Sequence, residues 1–224
     1  MSPAPVVVRD VHKMYEGGVC ALDKVSLIVE RGTMAALLGP SGCGKSTLLN
    51  LVGCVDLPTR GTVTVDGLET SCLSDDELTE LRRDRVGTVF QFFSFLPTLN
   101  IAENVALPLV LQKAPRLRLE AAVAAALETV GIEDRARAYP SQVSGGQLQR
   151  AAIARAIVHE PAIVLADEPT GNLDSQNGMV ILALLRQLAD RGQTILMATH
   201  SQEAAQACDR RISMRDGRIL KAAP

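Results

Sequence analysis

Nine residues near the start of the chain, GPSGCGKST at 39–47, crowd three glycines against a lysine and two hydroxyls. Gly39 and Gly44 bracket Pro40, Ser41, Gly42 and Cys43, and Lys45, Ser46 and Thr47 follow at once. Glycines let a backbone bend until several N–H groups face one anion. The helical character of STLLNLVG (46–53) adds the positive end of a helix to that cup. The chemistry this suits is the grip of a phosphate chain. Lys45 brings a point charge to the β- and γ-phosphates, the Ser46 hydroxyl suits Mg²⁺, and Thr47 lies toward the α-phosphate. A nucleoside triphosphate is the expected ligand.

A loop that holds phosphates does not by itself cleave them; phosphoryl transfer also needs a metal anchor and a group that positions water. PAIVLADEP (161–169) offers both. Asp167 ends an apolar run, where a carboxylate is costly unless it faces a cation or donors, and it is expected to bind Mg²⁺. Glu168 can accept the proton of the attacking water. Adjacent acids at a strand end also serve as caps or solvated groups; the upstream loop favours the chemical role. VSGGQLQR (143–150) sets Ser144, Gly145 and Gly146 at the start of a helix. A hydroxyl, exposed N–H groups and a helix dipole make a second anion site there, although plain capping accounts for an isolated SGGQ. No second lysine loop accompanies it. ATHS (198–201) places His200 just past an apolar strand. Such a histidine is ordinarily structural, but beside a phosphate site it can contact the γ-phosphate.

These residues need a scaffold. VVVRDV (6–11) and VSLIVE (25–30) read as strands with MYEGGV as the turn between them, and MAALLG (34–39) is a short strand running into the glycines. GTVTVDG (61–67) alternates like an edge strand. Ser74 and Glu77 form the pattern of a capping box for a helix over 74–84, and RVGTVFQ (85–91) is another strand. From 92 to 158 strand signals vanish. LEAAVAAALETVG (119–131) and LQRAAIARAIV (148–158) are helical there. Strands at 161–169 and 194–200 flank a helix over 177–192, SQEAAQAC is a short helix, and RISMRDGRIL is a hairpin about Asp216-Gly217. Apolar strands alternating with helices predict an α/β fold with a parallel sheet covered on both faces. The expected organisation is a single domain over 1–224, with 1–91 and 159–224 as the nucleotide-binding core and 92–158 as an inserted helical subdomain.

Composition narrows the partners. A net charge of -2 argues against general nucleic-acid binding, and with no Trp and 3% aromatic residues there is little to stack on single strands. Cys20, Cys43, Cys54, Cys72 and Cys208 are scattered without metal or disulfide spacing, as in a reducing compartment. The apolar runs VALPLVL (105–111) and AIVLA (162–166) fall short of the roughly 18 residues a membrane span requires. The start, MSPAPVVVRD, shows no basic region before an apolar stretch, so no leader is expected.

Together these motifs resemble, in order and over nearly the whole chain, the nucleotide-binding subunit of ABC transporters. The resemblance makes GPSGCGKST the Walker A loop, VSGGQ the signature with Val143 in place of Leu, and VLADEP the Walker B strand with Glu168 as catalytic acid. GNLD (171–174) resembles the D-loop ending at Asp174, and His200 the switch histidine. Tyr15 looks like the aromatic that stacks on adenine, and Gln91 like the Q-loop glutamine that senses Mg²⁺. The implied fold is a P-loop NTPase, a RecA-like parallel sheet core with an antiparallel β edge plus the helical subdomain. The implied cofactors are ATP and Mg²⁺. The implied assembly is a head-to-tail dimer of two copies, in which Ser144, Gly145, Gly146 and Gln147 of one cap the nucleotide of the other. An integral membrane subunit on a separate chain and a location on the cytoplasmic face of the inner membrane follow from the same likeness. FQFFSFLPTLNIAENVALPLVL and GNLDSQNG resemble the lipoprotein-releasing and macrolide-export group. A soluble ABC ATPase of the ribosome or DNA is the alternative, though tandem cassettes and a coiled-coil insertion are not seen. A GTPase would want NKxD, which is missing.

Overall fold

The computed structural model describes residues 4–223; residues 1–3, at the start of the stretch read for a leader, and residue 224 lie outside it. Strands β1 (Val6–Tyr15) and β2 (Val19–Val29) form a long antiparallel hairpin. The turn is confined to 16–18, shorter than the MYEGGV expected. Gly17 and Gly18, at φ 81° and 79°, reverse the chain within it, so Tyr15 stays in register opposite Val19. Strands β4 (Arg60–Val65) and β5 (Leu68–Glu69) complete a four-stranded sheet in the order β2-β1-β4-β5.

A six-stranded sheet carries the chemistry. Its order is β10-β9-β3-β8-β7-β6, built from β3 (Met34–Leu38), β6 (Val86–Val89), β7 (Ile163–Asp167), β8 (Ile195–Thr199), β9 (Arg210–Arg215) and β10 (Arg218–Ala223). All pairs are parallel except β10 on β9, which returns through Asp216-Gly217 at φ 49° and 75°. The antiparallel part is therefore a separate sheet plus one edge strand. Side chains alternate along each strand. Met34 and Ala36 enter one core, while Ala35 and Leu37 enter the other.

Helices cover both faces. α1 (Lys45–Val52) and α2 (Asp75–Arg85) share a core with the four-stranded sheet. α3 (Ile101–Leu111), α4 (Arg116–Thr129), α5 (Gly145–Ile157) and α6 (Ser175–Asp190) share the other, and α7 (Gln202–Gln206) packs on β3. The Ser74–Glu77 capping box forms, its two main-chain bonds at 3.4 and 2.8 Å. α5 starts at Gly145, as the SGGQ stretch implied, because Ser144 and Gln147 close a capping box that takes both glycines into the helix. The apolar run 105–111, with Pro108 inside it, is the second half of α3. That helix starts at its own box, Asn100 with Glu103. The fully buried Asn104 ties it to the preceding loop, donating to the carbonyls of Leu96, Leu99 and Asn100 and accepting from the N–H of Leu96.

Candidate active site

Four neighbouring parallel strands end on the same edge of the sheet, and each end delivers one part of the site. β3 runs into the glycine loop, β8 into His200, β7 into Asp167 and Glu168, and β6 toward Gln91. Open parallel sheets bind ligands beyond their carboxyl ends for this reason: parallel strands point every following loop the same way.

The glycine loop is shaped by close approach. A β-carbon at Gly39 would stand 2.3 Å from the Met214 carbonyl oxygen, and one at Gly44 would stand 2.6 Å from that of Ala21. Gly42 and Gly44 have φ 79° and 102°. The turn of β9–β10 supports the loop from behind, where the Gly217 N–H donates to the Cys43 carbonyl at 3.2 Å. Gly44 caps α1, leaving the first N–H groups of the helix, through Thr47, without helical acceptors. Pro40 and Ser41 are exposed on the rim. Lys45 is only 7% exposed, and its ammonium donates to the carbonyls of Gly39 and Pro40 at 2.6 and 3.0 Å. A full positive charge is thereby fixed at the centre of the cup.

The Ser46 hydroxyl donates to Asp167 Oδ2 at 3.0 Å. Burial pushes the Asp167 carboxyl above its usual range; the Ser46 bond pulls it down, Glu168 pushes it up and Lys45 pulls it down. Among the described residues no cluster of three or more His, Cys, Asp or Glu could cage a metal. Two hard oxygens side by side suit Mg²⁺, which keeps several non-protein ligands. Glu168 sits at φ 46°, held by its N–H on the Ala198 carbonyl at 3.0 Å. His200 Nδ1 lies 2.9 Å from its Oε1, with the ring N–H donating to the carboxylate. Gln91 is exposed, and its carbonyl accepts from Asn172 Nδ2 at 2.8 Å.

Two sets of expected residues stand apart from this row. Tyr15 comes from the other sheet; its hydroxyl donates to Asp56 Oδ2 at 3.1 Å, and Lys13 Nζ sits 5.0 Å from the ring centroid. Lys13 also pairs with Asp56 at 2.5 Å. The first turn of α5 holds Ser144, Gly145, Gly146 and Gln147. Among the described residues no hydrogen bond joins them to residues 39–47. The Ser144 hydroxyl accepts from the Gln147 N–H at 3.3 Å, and Gln147 Oε1 accepts from the Ser144 N–H at 2.9 Å. The capping role of SGGQ is thus realised, while the N–H groups of Gly145 and Gly146 remain without helical acceptors.

Residues 22–171 match the family described as ABC transporter. The chain belongs to the ABC transporter family. The ATP-binding protein MJ0796 of Methanocaldococcus jannaschii is 44% identical over 217 residues, spanning 95% of this chain and 92% of the relative. Its dimeric structure in a post-hydrolysis state, bound to ADP and Pi, superposes with a TM-score of 0.88 at 40% identity over 97% of both chains. The macrolide export ATP-binding/permease protein MacB of Shigella flexneri is 42% identical over 96% of this chain but only 34% of its own length. CbiO1 of Clostridium perfringens, part of the CbiONQ transporter complex, gives a TM-score of 0.91 at 29% identity, covering 98% of this chain and 88% of that one. This protein is an ATP-binding subunit of ABC-transporter type and an ATPase.

Several residues that hold the ABC ATPase site escaped the sequence reading. Arg155 of α5 donates to the carbonyls of Phe93 and Ser94, both at 2.7 Å, and lies 4.7 Å over the Phe95 ring, fixing the loop after Gln91. Asp56 reaches Tyr15 from a distant segment and Lys13 from its own strand, with no pattern to mark either, while Asn172, inside GNLD, holds the main-chain carbonyl of Gln91. Asn177 had a signal: it stands three residues after Asp174, where a helix N-cap finds its partner. Its N–H donates to Asp174 Oδ1 at 2.9 Å and its carboxamide to Oδ2 at 2.6 Å. These bonds hold the Asp174 carboxyl below its usual range.

Proposed function

We propose that this chain energises a separate integral membrane subunit, in export or in extraction of a lipoprotein-like substrate, by pairing with a second copy across two molecules of Mg-ATP. The observation that carries the pairing is the split site. One row of strand ends holds Lys45, Ser46, Asp167, Glu168, His200 and Gln91, whereas the anion-seeking turn at Ser144–Gln147 makes no hydrogen bond to that loop. A two-fold arrangement unites the two halves from different copies. The dimeric MJ0796 structure supports this reading, and MacB supports the export assignment.

In this mechanism Tyr15 stacks on adenine, with Lys13 on its ring. The loop from Gly39 to Gly44, with the N–H groups of α1, wraps the phosphates, and Lys45 turns from the loop carbonyls to the β- and γ-oxygens. Ser46, Asp167 and Gln91 would hold Mg²⁺, which would supply positive charge against the phosphoryl oxygens. Glu168 accepts the proton of the attacking water, and His200 fixes that carboxylate and senses the γ-phosphate. Ser144, Gly145, Gly146 and Gln147 of the second copy close the site, with Asp174 at the seam.

The membrane subunit docks on the helical lobe, 92–158, and the Gln91 loop. A 480 Å³ cleft between that lobe and the α2–β6 segment is lined by Arg82, Leu107, Leu111, Arg155 and His159, and Phe92, next to Gln91 in the chain, is 73% exposed. Among the described residues no helix is long and apolar enough to cross a membrane; in this proposal the partner supplies the span and this chain sits at the cytoplasmic face. The test is Glu168→Gln. It keeps an acceptor for His200 but removes the base, so turnover should fall by about 10²- to 10⁴-fold. With Mg-ATP the variant should elute as a dimer on gel filtration; strictly monomeric elution overturns the pairing.

A further inference from the structure

Between Glu168 and Asn177 the chain touches three other functional segments in turn: His200, Gln91 and the first turn of α5. Glu168 meets His200 at 2.9 Å. Asn172 donates to the Gln91 carbonyl at 2.8 Å. Leu173 packs on Gly145, where a β-carbon would lie 3.8 Å from its Cδ2. Asn177 lies against Gly146, where a β-carbon would stand 2.7 Å from the carboxamide oxygen.

The last contact goes beyond capping. Asp174 already caps α6 through the main-chain N–H of Asn177, a bond that any residue at 177 except proline would supply. The carboxamide is additional. Its nitrogen donates to the second Asp174 oxygen at 2.6 Å, and that bond sets its oxygen against Gly146. Asn177 is itself exposed whereas Gly146 is buried, so the amide lies across the surface and covers the start of α5. A glycine on one side and a compact amide on the other allow the two helix ends to approach this closely.

We infer that Asn177 is a positioning residue that locks the Asp174 loop to the first turn of α5, so that both segments meet the second copy as one surface. The inference rests on the pairing proposed above. A loose loop would let Asp174 and the Ser144 turn reach the seam independently, and only part of the pairing energy would then be available for assembling the site. The effect belongs in turnover and dimer closure, because Asn177 touches none of the residues that grip ATP within its own chain.

Three measurements on the full chain test this. In nucleotide-free protein, Asn177→Ala should speed hydrogen exchange at the amides of 145–148 and leave α1 unchanged. In steady state its kcat should fall by about 10- to 100-fold, as small misplacements of assembled sites do, while binding of a fluorescent ATP analogue to the monomer is retained. In the Glu168→Gln parent with Mg-ATP, Gly146→Ala should weaken dimerisation strongly alone and only slightly once Asn177→Ala has removed the opposing oxygen, a coupling that independent sites do not show. Unchanged exchange at 145–148, or an additive Gly146–Asn177 pair, overturns the lock. So does a loss of monomer ATP binding equal to the loss of turnover. Should the Glu168→Gln parent itself stay monomeric, the pairing fails, and the exchange result alone decides whether the lock exists.

Discussion

Replacing Gly44 by alanine tests why the phosphate cup is made of glycine, with Gly42 as its control. Both residues have positive φ, 102° and 79°, a region that costs an L-residue about 1–2 kcal/mol. Their surroundings differ. A β-carbon at Gly42 meets nothing within 4 Å, whereas one at Gly44 lies 2.6 Å from the Ala21 carbonyl oxygen and 2.9 Å from Leu22 Cδ2. Neither can yield cheaply, since Leu22 is fully buried and Ala21 lies in β2 with Gly217 packed against its carbonyl. Overpacking of this kind adds about 1–3 kcal/mol. At about 2–4 °C per kcal/mol for a chain of this size, Gly44→Ala should melt about 2–12 °C below Gly42→Ala by calorimetry. It should also forfeit most of the stabilisation by Mg-ATP, about 2.7 kcal/mol in the native chain at one hundred times Kd, because Gly44 orients the first N–H groups of α1. Equal melting of the two variants, or a full ATP-dependent rise in Gly44→Ala, would refute the reasoning.

Tyr15→Ala should weaken ATP about 5- to 150-fold in nucleotide titrations, the range expected for losing a base–aromatic stack; Asp56→Ala, which only frees the ring, should do less. Asp167→Asn should abolish Mg²⁺-dependent turnover yet stabilise the nucleotide-free chain. Burial raises the folded pKa of Asp167, so its contribution to stability is full below the ordinary carboxylate range and is lost as pH rises through the raised value. Melting curves of the two chains should therefore converge in acid and separate above that range. Cys54 and Cys208, pushed by burial to about 11 and about 12, should resist a thiol reagent at pH 8 in the native chain. The exposed Cys20 and Cys72 should react first, as peptide mapping by mass spectrometry would show.

The parts of the site legible in the sequence were those whose function demands a local pattern. Gly39 to Thr47, the proposed phosphate loop, must turn sharply, so glycine spacing betrays it; Asp167, Glu168 and His200 follow apolar strands, so hydropathy places them. The same logic recovered the Asp216-Gly217 hairpin and the capping box before α2. Where the reading fell short, long-range contacts had taken over. α3 hides behind Pro108 and is fixed by buried Asn104, which reaches back to Leu96. Arg155 looks like one more basic residue on a helix until the fold lays Phe93 and Ser94 across it. Asp56 acts through Tyr15, forty-one positions away. No period or motif announces such pairs, because their spacing is set by topology and not by chemistry.

Four polar residues of the site share one property that bears on how ATP acts. Lys45 is bonded to Gly39 and Pro40, Ser46 to Asp167, Glu168 to His200, and Ser144 to Gln147. Each already has a partner within the chain, so the nucleotide must exchange these bonds rather than add to them. Exchange yields far less than the gross strength of each bond, on the order of 1 kcal/mol net, except where a formal charge meets a formal charge. In the proposed mechanism Lys45 is the residue in this set that trades neutral carbonyls for anionic oxygens, in a nearly dry setting where charge-assisted bonds are strongest. The discrimination between ATP and ADP then rests on Lys45 and on what the second copy adds at the γ-phosphate. A Lys45→Met chain should accordingly bind ATP and ADP with nearly equal affinity in equilibrium titrations, and a preserved preference for ATP would show that the discrimination resides elsewhere.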